Sequence, residues 1–169
     1  MSSQTPYQVL CVCLGNICRS PTAEVVFRQM CDEQKLPVRV DSAGTSNYHP
    51  GKAPDLRSQK YAKKRGYDLS SLRARQLTTQ DFLDFDLILA MDQDNLADIQ
   101  ALSKVALKQF GQVRADIALM SEHDTQYPRQ AVPDPYYGGD DGFEQVLDQC
   151  ESSSRAWVAI LRQKLQSAV

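Results

Sequence analysis

The sequence predicts an α/β fold: a central parallel sheet covered by helices on both faces. Short apolar runs at residues 8–12, 38–40 and 86–91 read as buried strands, and segments with apolar residues at helical spacing alternate with them. No internal repeat, low-complexity tract or interdomain linker interrupts the 169 residues. One domain spanning residues 1–169 is therefore expected, with an ordered core over about 7–166.

Gln8-Val9-Leu10-Cys11-Val12 is short, apolar and rich in β-branched side chains, which suits a first strand. Ser20 and Pro21 read as an N-cap and a first helical position, because proline lacks only an N–H that is unpaired there anyway. Ala23, Val26, Phe27 and Met30 then recur at helical spacing over residues 23–36, and Leu36-Pro37 stops the helix. Residues 38–40 form a short strand. Asp41-Ser42-Ala43-Gly44-Thr45 follows as its C-terminal turn, a position that lines the ligand crevice in βα folds, and irregular chain leads to Pro54. A second helix is expected over residues 55–65, capped at Gly66, with loose chain to Leu77.

Thr78 or Thr79 is expected to cap a short helix through Phe85, ahead of the buried strand Asp86-Leu87-Ile88-Leu89-Ala90-Met91. Asp92 and Asn95 begin the next helix, which continues through residues 97–110, and a last strand is weakly marked at residues 117–120. Residues 124–142 hold Pro128, Pro133, Pro135, Gly138, Gly139 and Gly142. They read as a long ordered loop, and long loops in compact domains tend to be functional. From Phe143 to Leu165 one apolar face persists, with Trp157 and Cys150 as core residues of a long C-terminal helix that packs on the sheet.

The chemistry centres on Cys13-Leu14-Gly15-Asn16-Ile17-Cys18-Arg19-Ser20-Pro21, between the first strand and the first helix. A cysteine and an arginine separated by five residues can close a loop whose backbone N–H groups point inward. At a helix N-terminus the free amides and the helix dipole both favour a bound anion. Gly15 and Asn16 suit left-handed backbone in the tight curve. The same field, with the fixed charge of Arg19, favours the nucleophilic thiolate form of Cys13. A phosphate-free turn would leave an inward-facing Arg19 without a partner, which is costly if buried.

Composition narrows the partners. With 42% hydrophobic and 24% charged residues and a net charge of −2, the chain has no general attraction for nucleic acid or for an anionic membrane, so anion binding must be local. Cys11, Cys13, Cys18, Cys31 and Cys150 form neither a disulfide framework nor a zinc pattern, which fits a reducing, cytoplasmic location. The first residues carry no basic leader, and no apolar stretch approaches the ~20 residues of a membrane span. His49 and His123 read as exposed polar residues, and Arg39, Lys63, Lys64 and Arg65 as solvated charge.

The nine-residue run resembles the signature of the low-molecular-weight protein tyrosine phosphatases. The resemblance implies a small doubly wound, flavodoxin-like sheet of four strands in order 2-1-3-4. It implies attack by Cys13 on phosphorus, giving a phosphocysteine, with the loop residues Leu14, Gly15, Asn16, Ile17 and Cys18 and the Arg19 fork holding the phosphoryl oxygens. Ser20 is placed to hydrogen-bond the sulfur and improve it as a leaving group. Asp134-Pro135-Tyr136-Tyr137-Gly138 resembles the family's acid motif, which makes Asp134 the general acid and later the base for water. Asp41-Ser42-Ala43-Gly44-Thr45 also resembles the family, with Ser42 in support and Tyr48 where many members have tryptophan. Tyr48, Tyr136 and Tyr137 are candidate walls of a slot for an aryl ring. Arg73-Ala74-Arg75-Gln76-Leu77 resembles the family too, but Leu72 replaces a histidine that many members use behind the phosphate loop, which removes one supporting hydrogen bond.

The resemblance implies no cofactor and no metal. Partners are phosphotyrosine-containing proteins, with inorganic phosphate and other oxyanions as competitive ligands and neither nucleic acid nor membrane. In some relatives the paired tyrosines are phosphorylated, which adds a tyrosine kinase as a candidate partner. Cys18 shares a loop with Cys13 and is the candidate redox partner for it. Three alternatives compete with this reading. Arsenate reductases share the fold and loop but pass electrons through further cysteines, and none lies between Cys31 and Cys150. Protein-arginine phosphatases carry threonine at the position of Ile17, and isoleucine offers no acceptor to a guanidinium, whose buried unpaired donor costs about 1–3 kcal/mol. A phosphopeptide-binding module is expected to lack Cys13 or Asp134.

Overall fold

The computed structural model describes residues 5–136 and 138–167. In chain order the elements are β1 (Tyr7–Cys13), α1 (Arg19–Glu33), β2 (Val38–Gly44), α2 (Leu56–Lys64), α3 (Asp81–Asp84), β3 (Leu87–Ala90), α4 (Gln93–Phe110), β4 (Asp116–Leu119) and α5 (Asp140–Ser167). The strands are all parallel in the order β2-β1-β3-β4, as the resemblance implies. The order reverses at β1, so the crevice beyond the C-terminal ends of β1 and its neighbours is the natural ligand position.

β1 is buried on both faces, which is why it needs an unbroken apolar run rather than alternation. Val9 and Cys11 pack in a core with Phe27, Leu147 and Trp157. Leu10 and Val12 point the other way, into a second core with Phe82, Ile88 and Ile99. Helices α1, α2 and α5 thus cover one face of the sheet, and α3 and α4 the other. Trp157 is core, as expected, and its indole N–H donates to Met120 O at 2.8 Å.

Several boundaries differ from the sequence expectation for identifiable reasons. β2 continues through Gly44, and the residues expected as a turn pair with β1, Asp41 opposite Leu10 and Gly44 opposite Cys13. α1 starts at Arg19, with Cys18 as its N-cap and no side-chain cap. Ser20 is therefore not the cap; its hydroxyl faces Cys13 instead. Pro21 is tolerated at the third helical position because first-turn N–H groups have no acceptor within the helix. Neither Thr78 nor Thr79 caps α3. The roles are reversed, and the Asp81 carboxylate accepts from the Thr78 N–H at 2.8 Å. Asp92 does cap α4, accepting from the Asn95 N–H at 2.7 Å. α5 begins at Asp140 and so shortens the loop before it, with Asp140 and Asp141 in the first turn where the helix dipole favours them.

Gly44 sets how closely β2 approaches the loop after β1. A Cβ there would lie 2.7 Å from Leu14 O and 3.1 Å from Asn16 N, both backbone atoms that cannot swing aside. Gly44→Ala is expected to destabilise the fold by about 1–3 kcal/mol through overpacking. Gly139→Ala, where nothing lies within 4 Å of the added carbon, is expected to stay within about 0.5 kcal/mol of the parent. Urea unfolding midpoints of the two variants check the contrast.

Candidate active site

The loop from Cys13 to Arg19 leaves β1, the strand at which the order reverses, and enters α1. Asn16 takes the left-handed backbone at φ 58°, as expected. Gly15 does not, which corrects the expectation for it. A Cβ at Gly15 would lie 3.1 Å from His49 Cδ2, so what it provides is room.

Asn16 is buried and hydrogen-bonded on every side. Its N–H donates to Cys13 Sγ at 3.2 Å. Its Nδ2 donates to Ser20 Oγ at 2.8 Å and to Ser42 Oγ at 3.0 Å. Its Oδ1 accepts from the Arg75 N–H at 3.0 Å. Cys13 Sγ lies 3.0 Å from Ser20 Oγ, the contact expected of that hydroxyl. Ser42 in turn donates to Glu24 Oε1 at 2.6 Å, and Arg28 pairs with the other oxygen of Glu24 and donates to Val40 O. The polar network behind the loop thus ends on Glu24 and Arg28, which sequence reasoning missed. Leu72 adds no polar group to it.

Arg19 is buried and fixed. Its Nη1 donates to Asp92 Oδ2 at 2.6 Å and to Val132 O at 3.0 Å, and its Nη2 faces Asp134 Oδ2 at 3.8 Å. Burial works against the charge, but Cys13, Asp92 and Asp134 outweigh it and raise the guanidinium pKa. Asp92 therefore has two tasks, one oxygen for the α4 cap and one for Arg19. Only the first is legible in the local sequence, although a carboxylate just past the end of a buried strand is a signal for the crevice.

The segment bearing Asp134 is pinned upstream. Asp124 is buried and accepts from Ser152 Oγ at 2.7 Å and Ser153 Oγ at 2.6 Å on α5, and the Val132 N–H donates to Met91 O at 2.8 Å. Asp134 itself is half-exposed, and its Oδ1 accepts from the Tyr136 N–H at 3.1 Å. The pocket that results encloses about 110 Å³ between Cys13, Leu14, Gly15, Ile17, Cys18, Arg19, Tyr48, His49, Asp134 and Tyr136. Tyr48 stands at the mouth, 71% exposed. Tyr137 lies outside the described residues. His49 is not the exposed polar residue expected: its ring packs against Gly15, edge-on to Tyr48 and tilted to Tyr136. All five cysteines are free and buried, and burial pushes the Cys18 thiol up to about 12 against a hydrogen bond with Ser58.

Glu24 gives the network a pH signature. Burial raises its carboxyl above the ordinary value of 4.5, and the hydrogen bonds from Ser42 and Arg28 offset only part of that. A carboxyl whose folded pKa lies above its unfolded one contributes stability that is complete below the unfolded value and lost as pH rises through the folded value. Glu24→Gln keeps an oxygen for Ser42 and does not titrate. The parent is expected to lose stability relative to Glu24→Gln as pH rises from 4.5 towards neutrality, read by urea unfolding across that range. Parallel stability curves would contradict the assignment.

Residues 8–167 match the family model described as low molecular weight phosphotyrosine protein phosphatase. The human protein of that name is 44% identical over 160 residues, covering 94% of this chain and 98% of the human one. A protein tyrosine phosphatase from Entamoeba histolytica, crystallised with Hepes in its active site, superposes with a TM-score of 0.84 at 38% identity, covering 94% of this chain and 98% of its own. An arginine phosphatase from Drosophila superposes with a TM-score of 0.83 at 30% identity, covering 89% and 95%. With the curled Cys13 to Arg19 loop at a four-stranded parallel sheet, these likenesses establish that the chain belongs to the low molecular weight phosphotyrosine protein phosphatase family.

Proposed function

We propose that this chain hydrolyses phosphotyrosine in proteins, and small aryl phosphates, through a phosphocysteine on Cys13. The observation that carries the reading is the convergence of Cys13, Arg19 and Asp134 on one small pocket. The Cys13 sulfur attacks phosphorus in line with the aryl oxygen. The S–P bond forms as the P–O bond to the ring breaks, and the Asp134 carboxyl delivers its proton to the departing oxygen. The loop amides and the Arg19 guanidinium bear the charge on the three equatorial oxygens. Water then attacks the phosphocysteine, Asp134 takes its proton, and the P–S bond breaks to return phosphate and the thiolate. Ser20, 3.0 Å from the sulfur, supports that second departure by hydrogen-bonding the thiolate.

Asn16 and Ser42 support the loop from behind, and Tyr48, Tyr136 and Tyr137 are proposed as the walls for the aryl ring. Inorganic phosphate and related oxyanions are proposed as competitive ligands, in keeping with the sulfonate buffer held by the Entamoeba relative. No helix among the described residues is long and apolar enough to cross a membrane, and the five free cysteines favour a cytoplasmic setting. Tyr136 and Tyr137 are proposed as sites for a tyrosine kinase. Peroxide is proposed to oxidise the Cys13 thiolate to a sulfenic acid, which the Cys18 thiol converts to a disulfide with release of water.

Ile17 lines the pocket and is proposed to select the phosphoryl donor. Phosphotyrosine peptides are expected to turn over well, phosphoserine peptides poorly and phosphoarginine peptides weakly, and Ile17→Thr is expected to move kcat/KM toward phosphoarginine. Steady-state assays on the three peptide classes check this. A parent enzyme that prefers phosphoarginine, or an unchanged ratio in Ile17→Thr, would contradict it.

A further inference from the structure

Arg57 lies outside the pocket, yet it joins the two loops that meet there. The Asp55 N–H donates to Ile17 O at 2.8 Å, which ties the residue before α2 to the phosphate loop. The Asp55 carboxylate caps α2, accepting from the Arg57 N–H at 2.8 Å, and also accepts from the Arg57 guanidinium at both oxygens, each at 3.2 Å. Burial acts to raise the Asp55 carboxyl, but the hydrogen bonds from Arg57 hold it below the usual range. The cap alone needs only the backbone N–H. The guanidinium reaches further, and its Nη2 donates to Tyr136 O at 2.8 Å with its central carbon 4.8 Å from the Phe143 ring centroid. At the other end of the same residue, the Tyr136 N–H donates to Asp134 Oδ1 at 3.1 Å.

An unbroken track therefore runs from the phosphate-loop backbone through Asp55, Arg57 and Tyr136 to the Asp134 carboxylate. We infer that Arg57 is a positioning residue for the acid loop: by holding the Tyr136 carbonyl, it keeps the Tyr136 N–H on Asp134 Oδ1 and so leaves Oδ2 aimed into the pocket. This rests on Asp134 being the proton donor. Oδ2 is the oxygen nearer Arg19, at 3.8 Å, and so the one on the side where the phosphoryl group is bound. A half-exposed carboxylate on a loop loses catalytic efficiency quickly when its geometry relaxes, since a misplacement of about 1 Å can cost roughly 10²-fold.

The test compares kcat/KM for phenyl phosphate and 2,4-dinitrophenyl phosphate in the parent, Arg57→Met, Arg57→Lys, Asp134→Ala and the Arg57→Met/Asp134→Ala double variant, with thermal melts to confirm folding. Arg57→Met is expected to lose roughly 10- to 100-fold on phenyl phosphate and little on dinitrophenyl phosphate, whose leaving group needs no proton. Arg57→Lys keeps a cationic N–H donor one bond short of the Nη2 position and is expected to recover part of the loss through the Tyr136 carbonyl, and it carries the test should Arg57→Met not fold. In the Asp134→Ala background Arg57→Met is expected to cost nothing further on phenyl phosphate. An equal loss on both esters, or the same additional loss without Asp134, would overturn the inference and leave Asp134 as the donor. If Asp134→Ala itself lost no more on phenyl phosphate than on the dinitro ester, the proton-donor reading and this inference would both fall.

Discussion

The hydrogen bonds of Asn16 are the constraint on which the rest of the site depends. One residue in left-handed backbone contacts the Cys13 sulfur, the first turn of α1 at Ser20, the end of β2 at Ser42 and the returning segment at Arg75. The phosphate-loop backbone is thus fixed from behind, by side-chain groups that do not line the pocket. That arrangement matters because the loop amides can stabilise charge on an oxyanion only if they are already aimed when it arrives.

Such a buried polar network is stabilising only when each member is satisfied. Here the chain of donors runs outward through Ser42 to Glu24, and the Glu24 carboxylate meets Arg28, whose side chain is more than a third exposed. The network thereby transfers its charge to the surface rather than ending on an unpaired buried group. Arg19 is handled similarly: Asp92, which is partly exposed, and the Val132 carbonyl both accept from its Nη1. Removing one partner of such a pair typically costs about 3–5 kcal/mol, because the remaining charge stays buried.

Much of this was legible in the sequence, for physical reasons. The unbroken apolar run of β1 follows from burial on both faces, and the nine-residue loop is local in sequence as well as in space. The end of β2 was not legible, because Asp41-Ser42-Ala43-Gly44 has the composition of a turn and becomes strand only by pairing with β1. Ser20 has the composition of a cap, but its hydroxyl is drawn to the sulfur and Asn16. His49, Asp92, Glu24 and Arg57 act on residues distant in sequence, with separations of 73 for Asp92 to Arg19, 18 for Glu24 to Ser42 and 79 for Arg57 to Tyr136. No local pattern encodes those separations. The tight approach at Gly44 is likewise visible only when two backbones meet.

The proposed hydrolysis requires the curled loop to present the Cys13 sulfur to phosphorus as a nucleophile. Rapid acid quench of the protein during turnover of a phosphorus-labelled aryl phosphate, followed by peptide mapping, tests it most directly. Label on the peptide at Cys13, absent from Cys13→Ser, is the predicted result. Label on another side chain such as His49 or Ser20, or turnover that persists in Cys13→Ser, would contradict the phosphocysteine.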